Sequence, residues 1–79
     1  MENIETYERL MREVLSIPED TDLKTLERGV TSDWDSVGHV ALVTALEDNF
    51  DIMFEIEDIL NFKTYDQGIE ILKKYGVEF

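Results

Sequence analysis

The stretch Asp35-Ser36-Val37-Gly38-His39-Val40-Ala41-Leu42-Val43-Thr44-Ala45-Leu46-Glu47-Asp48-Asn49-Phe50 decides the fold. At 100° per residue, His39, Leu42, Val43, Leu46 and Phe50 fall within a sector of roughly 100°, the width of one buried helical face. Asp35 stands where an N-cap oxygen is wanted, so the spacing predicts a helix over 36–50 capped by Asp35. On the opposite side Val37, Val40, Ala41, Thr44, Glu47 and Asp48 form a second stripe, apolar near the start and acidic further on. One buried face is enough to fold a helix. A second, semi-apolar face is therefore expected to be a docking surface, unless a later segment covers Val37 and Val40.

Upstream, Ile4, Tyr7, Leu10, Met11, Val14 and Leu15 recur at helical spacing, with Glu2 and Glu5 at the positive end of the helix dipole. Pro18, the only proline, is expected to stop this helix and to push Ile17 towards extended geometry. Turn chemistry fills residues 17–34, with Leu23, Leu26 and Val30 expected to pin the loop to the core; a loop of that length is usually functional or packed on itself. Downstream, Ile52 and Phe54 anchor a connection. Ile56, Ile59, Leu60 and Phe62 read as the inner side of a short helix, with Glu55, Glu57 and Asp58 outside. Thr64 and Gln67 make a capping box for a last helix. Its inner stripe is Tyr65, Ile69, Leu72 and Tyr75, Lys73 and Lys74 complement its dipole, and Gly76 closes it. No strand alternation and no repeat is present. The expected fold is all-α: a four-helix bundle of three longer helices and a short third one, with a long first loop, in one domain over 1–79.

Composition narrows the function classes. Seven Lys+Arg face nineteen Asp+Glu, a net charge of −12, so phosphate-rich nucleic acid and anionic membrane surfaces are poor partners. Basic patches on other proteins suit this field. Cysteine is absent, which removes disulfides, thiolate metal sites and a cysteine nucleophile. The longest apolar run, Val40–Val43, is far short of the roughly 20 residues of a membrane span, and the acidic start Met1–Glu5 is unlike a signal peptide. A cytoplasmic, monomeric protein is the expectation.

Ser36 is the residue of interest. At the first helical position its hydroxyl projects beside unpaired backbone N–H groups, where an attached anion is stabilised. A hydrolase triad of Asp35, Ser36 and His39 is rejected, since adjacent Asp35 does not reach round to orient the imidazole and no oxyanion hole is suggested. G-x-S-x-G fails because Trp34 occupies the first glycine position. Asp33-x-Asp35-x-x-Gly38 begins like a calcium loop, but Val37 takes a ligand position and Thr44 replaces the bidentate glutamate. No metal site and no catalytic residue is expected. His39, the single histidine, reads as a core residue, and Trp34 as a core cover able to touch a group attached to Ser36.

Asp35-Ser36-Val37 followed by Val40 to Phe50 resembles the acyl carrier proteins, and the likeness extends over nearly the whole chain: amphipathic first helix, long loop, short third helix and closing fourth. The string Trp34-Asp35-Ser36-x-Gly38-His39 is nearer the stand-alone bacterial type. The resemblance implies that Ser36 receives 4′-phosphopantetheine from coenzyme A through a separate phosphopantetheinyl transferase. The chain itself would then be no enzyme. It would carry thioester-bound acyl groups between the acyl-transferring, acyl-activating and condensing enzymes of fatty-acid or specialised lipid and secondary-metabolite synthesis. It places Trp34, Asp35 and Val37 beside the cofactor. Docking residues become Val37, Val40, Ala41, Thr44, Glu47, Asp48, Glu55 and Asp58, facing basic patches on partners, and an acyl pocket becomes His39, Leu46, Phe54 and Ile59. The departures are Trp34 for the usual glycine, Val37 for leucine, Gly38 and Ala41 for acidic residues, and Phe54 for proline. An aminoacyl or peptidyl carrier, and an unmodified acidic helical interaction module, are the alternatives.

Overall fold

Four α-helices follow one another: α1 (Asn3–Leu15), α2 (Ser36–Phe50), α3 (Ile56–Asn61) and α4 (Tyr65–Lys74), with one 3-10 turn, Leu23–Thr25, inside the first loop. The computed structural model describes residues 3–79; Glu2 lies outside them. Among the described residues there is no strand, only an isolated antiparallel bridge between Glu27 and Thr64. The chain is a small helical bundle, its radius of gyration of 11.4 Å close to the roughly 11.6 Å of a single globule of this length.

The core is one cluster. Tyr7, Met11, Leu15, Trp34, Leu42, Leu46, Phe62 and Leu72 are its largest fully buried side chains. Two helical glycines let the backbones come this close. A Cβ on Gly38 would lie 2.1 Å from the carbonyl oxygen of Asp33, and one on Gly68 would lie 2.1 Å from the Tyr7 hydroxyl and 2.6 Å from the Phe62 ring. Gly38 therefore trades helix propensity for close approach of the loop to the first turn of α2.

Three helices end in one way. Ser16 (φ 57°), Asp51 (φ 55°) and Gly76 (φ 91°) are left-handed. The next amides, Ile17, Ile52 and Val77, bond back to the carbonyls of Arg12, Glu47 and Leu72 at 2.9, 3.2 and 3.1 Å. This is the Schellman closure, with an apolar residue after the left-handed one packed on the core in each case. So α1 ends at Leu15, closed by Ser16 two residues before Pro18, and the proline follows a turn already made.

Other expectations shift with packing. Leu23 and Leu26 pin the loop as expected, but Val30 is 76% exposed, because the tight turn from Glu27 to Thr31 lifts it away, and Trp34 is the loop residue that is fully buried instead. In α3, Ile59 is half-buried, while Ile56 (76% exposed) and Leu60 (60%) face out and Asp58 faces in. In α4 the buried stripe is Tyr65, Gly68, Ile71 and Leu72, rotated from the one expected because Gly68 admits Tyr7. Phe50, Ile69 and Tyr75 are half-buried.

Polar bonds place α3, whose six residues bury only the Asp58 side chain. Ahead of the helix, the Glu47 carboxylate accepts the Phe54 N–H (2.8 Å) and the Tyr75 hydroxyl accepts the Glu55 N–H (2.8 Å). Asp58 is held by Lys74 Nζ (2.6 Å) and the Tyr75 hydroxyl (2.5 Å), and Tyr75 stacks on Phe54 at 5.5 Å between ring centroids. Arg28, from the long loop, donates to the carbonyls of Leu60 (2.6 Å) and Phe62 (3.0 Å), satisfying groups at the negative end of the helix. These bonds fix the rotation of α3, which is why its apolar residues did not choose its inner face.

Candidate functional site

Ser36 is exposed at the first position of α2. Asp35 in front of it has extended backbone, and its carboxylate accepts the Gly38 N–H at 2.9 Å, the N-cap that the sequence predicts. That cap satisfies one amide of the first turn. The amides of Ser36 and Val37 have no intrahelical carbonyl to meet and point, with the helix dipole, at whatever lies beyond the helix start.

Beneath the exposed hydroxyl the side chains are buried and hydrogen-bonded to one another. Trp34 is fully buried, and its Nε1–H donates to His39 Nδ1 at 3.0 Å. His39, 5% exposed, donates in turn from Nε2 to the Ile59 carbonyl at 2.8 Å. The Phe62 ring stands roughly perpendicular to both rings, its centroid 5.6 Å from that of Trp34 and 5.5 Å from that of His39. With Nδ1 an acceptor, the neutral imidazole carries its proton on Nε2. Burial holds the His39 pKa below its ordinary value, and the positive charge of Arg28 adds to that, against the opposing bond to Ile59. Both imidazole nitrogens and the Asp35 carboxylate are thus engaged elsewhere. Asp35 and His39 do not form a catalytic relay with Ser36.

Two expectations for this region are corrected. Trp34 has no exposed surface with which to touch a group on Ser36, because the indole is the floor of the loop. Asp58 is 4% exposed and cannot offer its carboxylate to a partner, because Lys74 and Tyr75 hold it inward, and these bonds also keep its pKa below the ordinary carboxylate value. Val37 (79% exposed) and Val40 (62%) are open, as are Ala41, Thr44, Asp48 and Glu55. Glu47 is half-buried, with one oxygen spent on Phe54. Ile56 (76% exposed) and Leu60 (60%) of α3 also face outward, so exposed apolar side chains are not confined to α2.

Leu46, His39 and Phe54 are buried at 0%, 5% and 6% exposure, and Ile59 is half-buried beside them. The structure brings His39 and Ile59 into direct contact, but as hydrogen-bonded packing. Two surface hollows, one over Ile71 between Asn61 and Glu70 and one around Val77 and Phe79, are lined by none of these four residues. No group of metal-binding side chains is assembled among the described residues, and none of their helices is long and apolar enough to cross a membrane.

Sequence reasoning missed Arg28, Tyr75 and Lys74 as organisers of this region. An arginine set between Leu26 and Val30 in the loop was the one visible signal. Compared with known proteins, the chain matches no family model, no curated protein and no solved structure.

Proposed function

We propose that the chain is a carrier whose Ser36 hydroxyl accepts 4′-phosphopantetheine from coenzyme A, in a reaction catalysed by a separate phosphopantetheinyl transferase. The observation that supports this reading is an exposed serine at the first position of α2, set on a base closely packed through Trp34, His39 and Gly38. The chain's residues suit the group. A phosphodiester on Ser36 Oγ would lie at the positive end of α2, near the amides of Ser36 and Val37, and a long arm would leave from solvent-facing surface. When bound, the arm would supply a thiol to hold acyl groups as thioesters, and tethering would raise their local concentration at a docked enzyme. Exposed Val37, Val40, Ala41, Thr44, Asp48 and Glu55 would meet enzymes whose docking surfaces combine apolar and basic groups.

The test is direct because the polypeptide contains no cysteine. Incubation with coenzyme A and a phosphopantetheinyl transferase is expected to add the mass of one phosphopantetheine and one thiol per chain. Ser36→Ala should abolish both. If no adduct forms, and protein purified from its own cells also carries no thiol, the carrier reading fails and the exposed α2 face functions as an unmodified interaction surface.

A further inference from the structure

We propose that His39 is a proton-sensitive latch that holds α3 and the Trp34 segment of the long loop against α2. One buried ring joins three parts of the chain: its own helix, the indole of Trp34 at Nδ1 (3.0 Å), and the last turn of α3 through the Ile59 carbonyl at Nε2 (2.8 Å). Only the neutral ring can do this. A proton on Nδ1 would set a donor against the indole N–H and break the bond that seats Trp34. The alternative tautomer would lose Ile59 as well.

The surroundings offer little to stabilise a protonated ring. Arg28, from the loop, is fixed on the Leu60 and Phe62 carbonyls, so a cationic His39 would face a second cation. From the loop and helix start, Asp35 is committed to the Gly38 N–H, and Asp33 is exposed. From α3, Asp58 is bound by Lys74 and Tyr75, while Glu55 and Glu57 are exposed. From the segment before α4, the Phe62 ring lies across the imidazole and Lys63, a further cation, is exposed.

The remaining attachment of α3 is weak in apolar terms, since Ile56 and Leu60 face solvent. Loss of the His39 bond removes a tie between α2 and α3 and leaves α3 on the bonds that Arg28, Lys74 and Tyr75 supply. Its release would free Ile59 and loosen α3, which carries the exposed Ile56 and Leu60. The latch requires nothing of Ser36 and stands whether or not that residue is modified.

Linkage sets the size. The closed state holds His39 below its ordinary value of 6.5, and in the open state the ring titrates normally. Below that pH the open fraction grows by up to about tenfold per pH unit, until the closed-state value is reached. The experiment follows His39, the Trp34 indole N–H and the α3 amides of Leu60 and Asn61 by NMR on the full unmodified chain, from about pH 8 downward until the imidazole has titrated. Amide exchange is normalised to the intrinsic rate at each pH. The expected result is that one common midpoint governs the imidazole and the indole signals. Exchange at Leu60 and Asn61 then accelerates towards the tenfold-per-unit limit, while Leu42 and Leu46 of α2 stay protected. In His39→Gln, which keeps a neutral polar group at all pH values, the acceleration should disappear. Titration of His39 with the indole and α3 signals unmoved would overturn the latch, as would the same acceleration in His39→Gln. If that variant does not fold, the wild-type midpoints alone decide the matter.

Discussion

Replacing Gly38 by alanine sets two effects against each other with opposite signs. In an ordinary helix interior the change stabilises by about 1 kcal/mol, because alanine loses less backbone entropy. Here the new Cβ would sit 2.1 Å from the Asp33 carbonyl oxygen, and the loop would have to retreat by more than an ångström to restore ordinary contact. The loop is not free to do so. Trp34 next to Asp33 is fully buried, its N–H bonds to Thr31 and its carbonyl accepts Gly29 N–H, and its indole is held by His39. Overpacking of this kind costs about 3 kcal/mol when the neighbour is backbone and cannot rotate away. The net loss is then about 2 kcal/mol. For a domain of this size that lowers the melting temperature by about 10 °C. Thermal unfolding followed by helical circular dichroism, and by emission of the single tryptophan, measures it. Because the displaced loop leads directly into Ser36, the loading proposed for that serine should, on the carrier reading, also slow in the folded variant. A Gly38→Ala protein as stable as the parent or more so would refute the reasoning, and would show that helix propensity outweighs loop contact at the start of α2.

Other perturbations follow from named contacts. Asp58→Ala leaves the Tyr75 hydroxyl without its buried acceptor and should cost about 2 kcal/mol, read by urea unfolding at neutral pH. The folded-state pKa of Asp58 is lowered, so its stabilisation is fully present above the ordinary value of 3.8 and is lost as pH falls through the folded value. Wild type should therefore lose more stability than Asp58→Ala on acidification below about pH 4. Asp51→Gly should stabilise by about 1 kcal/mol, since it relieves left-handed strain at φ 55° and removes a carboxylate from the negative end of α2; an unchanged urea midpoint would count against this. Arg28→Ala removes donors to both Leu60 and Phe62 and should cost about 2 kcal/mol. Arg28→Lys should recover only part of that, because an ammonium cannot span the two carbonyls as a planar fork does.

Much of the architecture was legible in particular residues. The 36–50 helix, its Asp35 cap and its inner face of His39, Leu42, Val43 and Leu46 all follow from spacing and one capping oxygen, and the structure reproduces each. The Thr64 cap is likewise local, its hydroxyl accepting the Gln67 N–H at 3.2 Å. The exposure of Ser36, Val37 and Val40 follows from the same helical register. Illegible were the left-handed residues Ser16 and Asp51. A serine or aspartate closes a helix only when the following isoleucine finds the core, and that depends on where the core is.

The chain's own periodicities and caps therefore determine that this protein is a set of amphipathic helices with a solvent-facing serine at the mouth of the second. That information is local: a stripe needs only 3.6-residue spacing, and a cap only one oxygen within reach of its own first turn. What tertiary structure alone decided is the setting of α3 and the fate of the polar residues around it. Asp58 turned inward, Ile56 and Leu60 turned outward, and His39, Arg28 and Tyr75 became the ties that hold a six-residue helix. A helix that short has no stripe long enough to choose its own face, so its orientation comes from hydrogen bonds offered by residues 16 to 32 positions away in the chain.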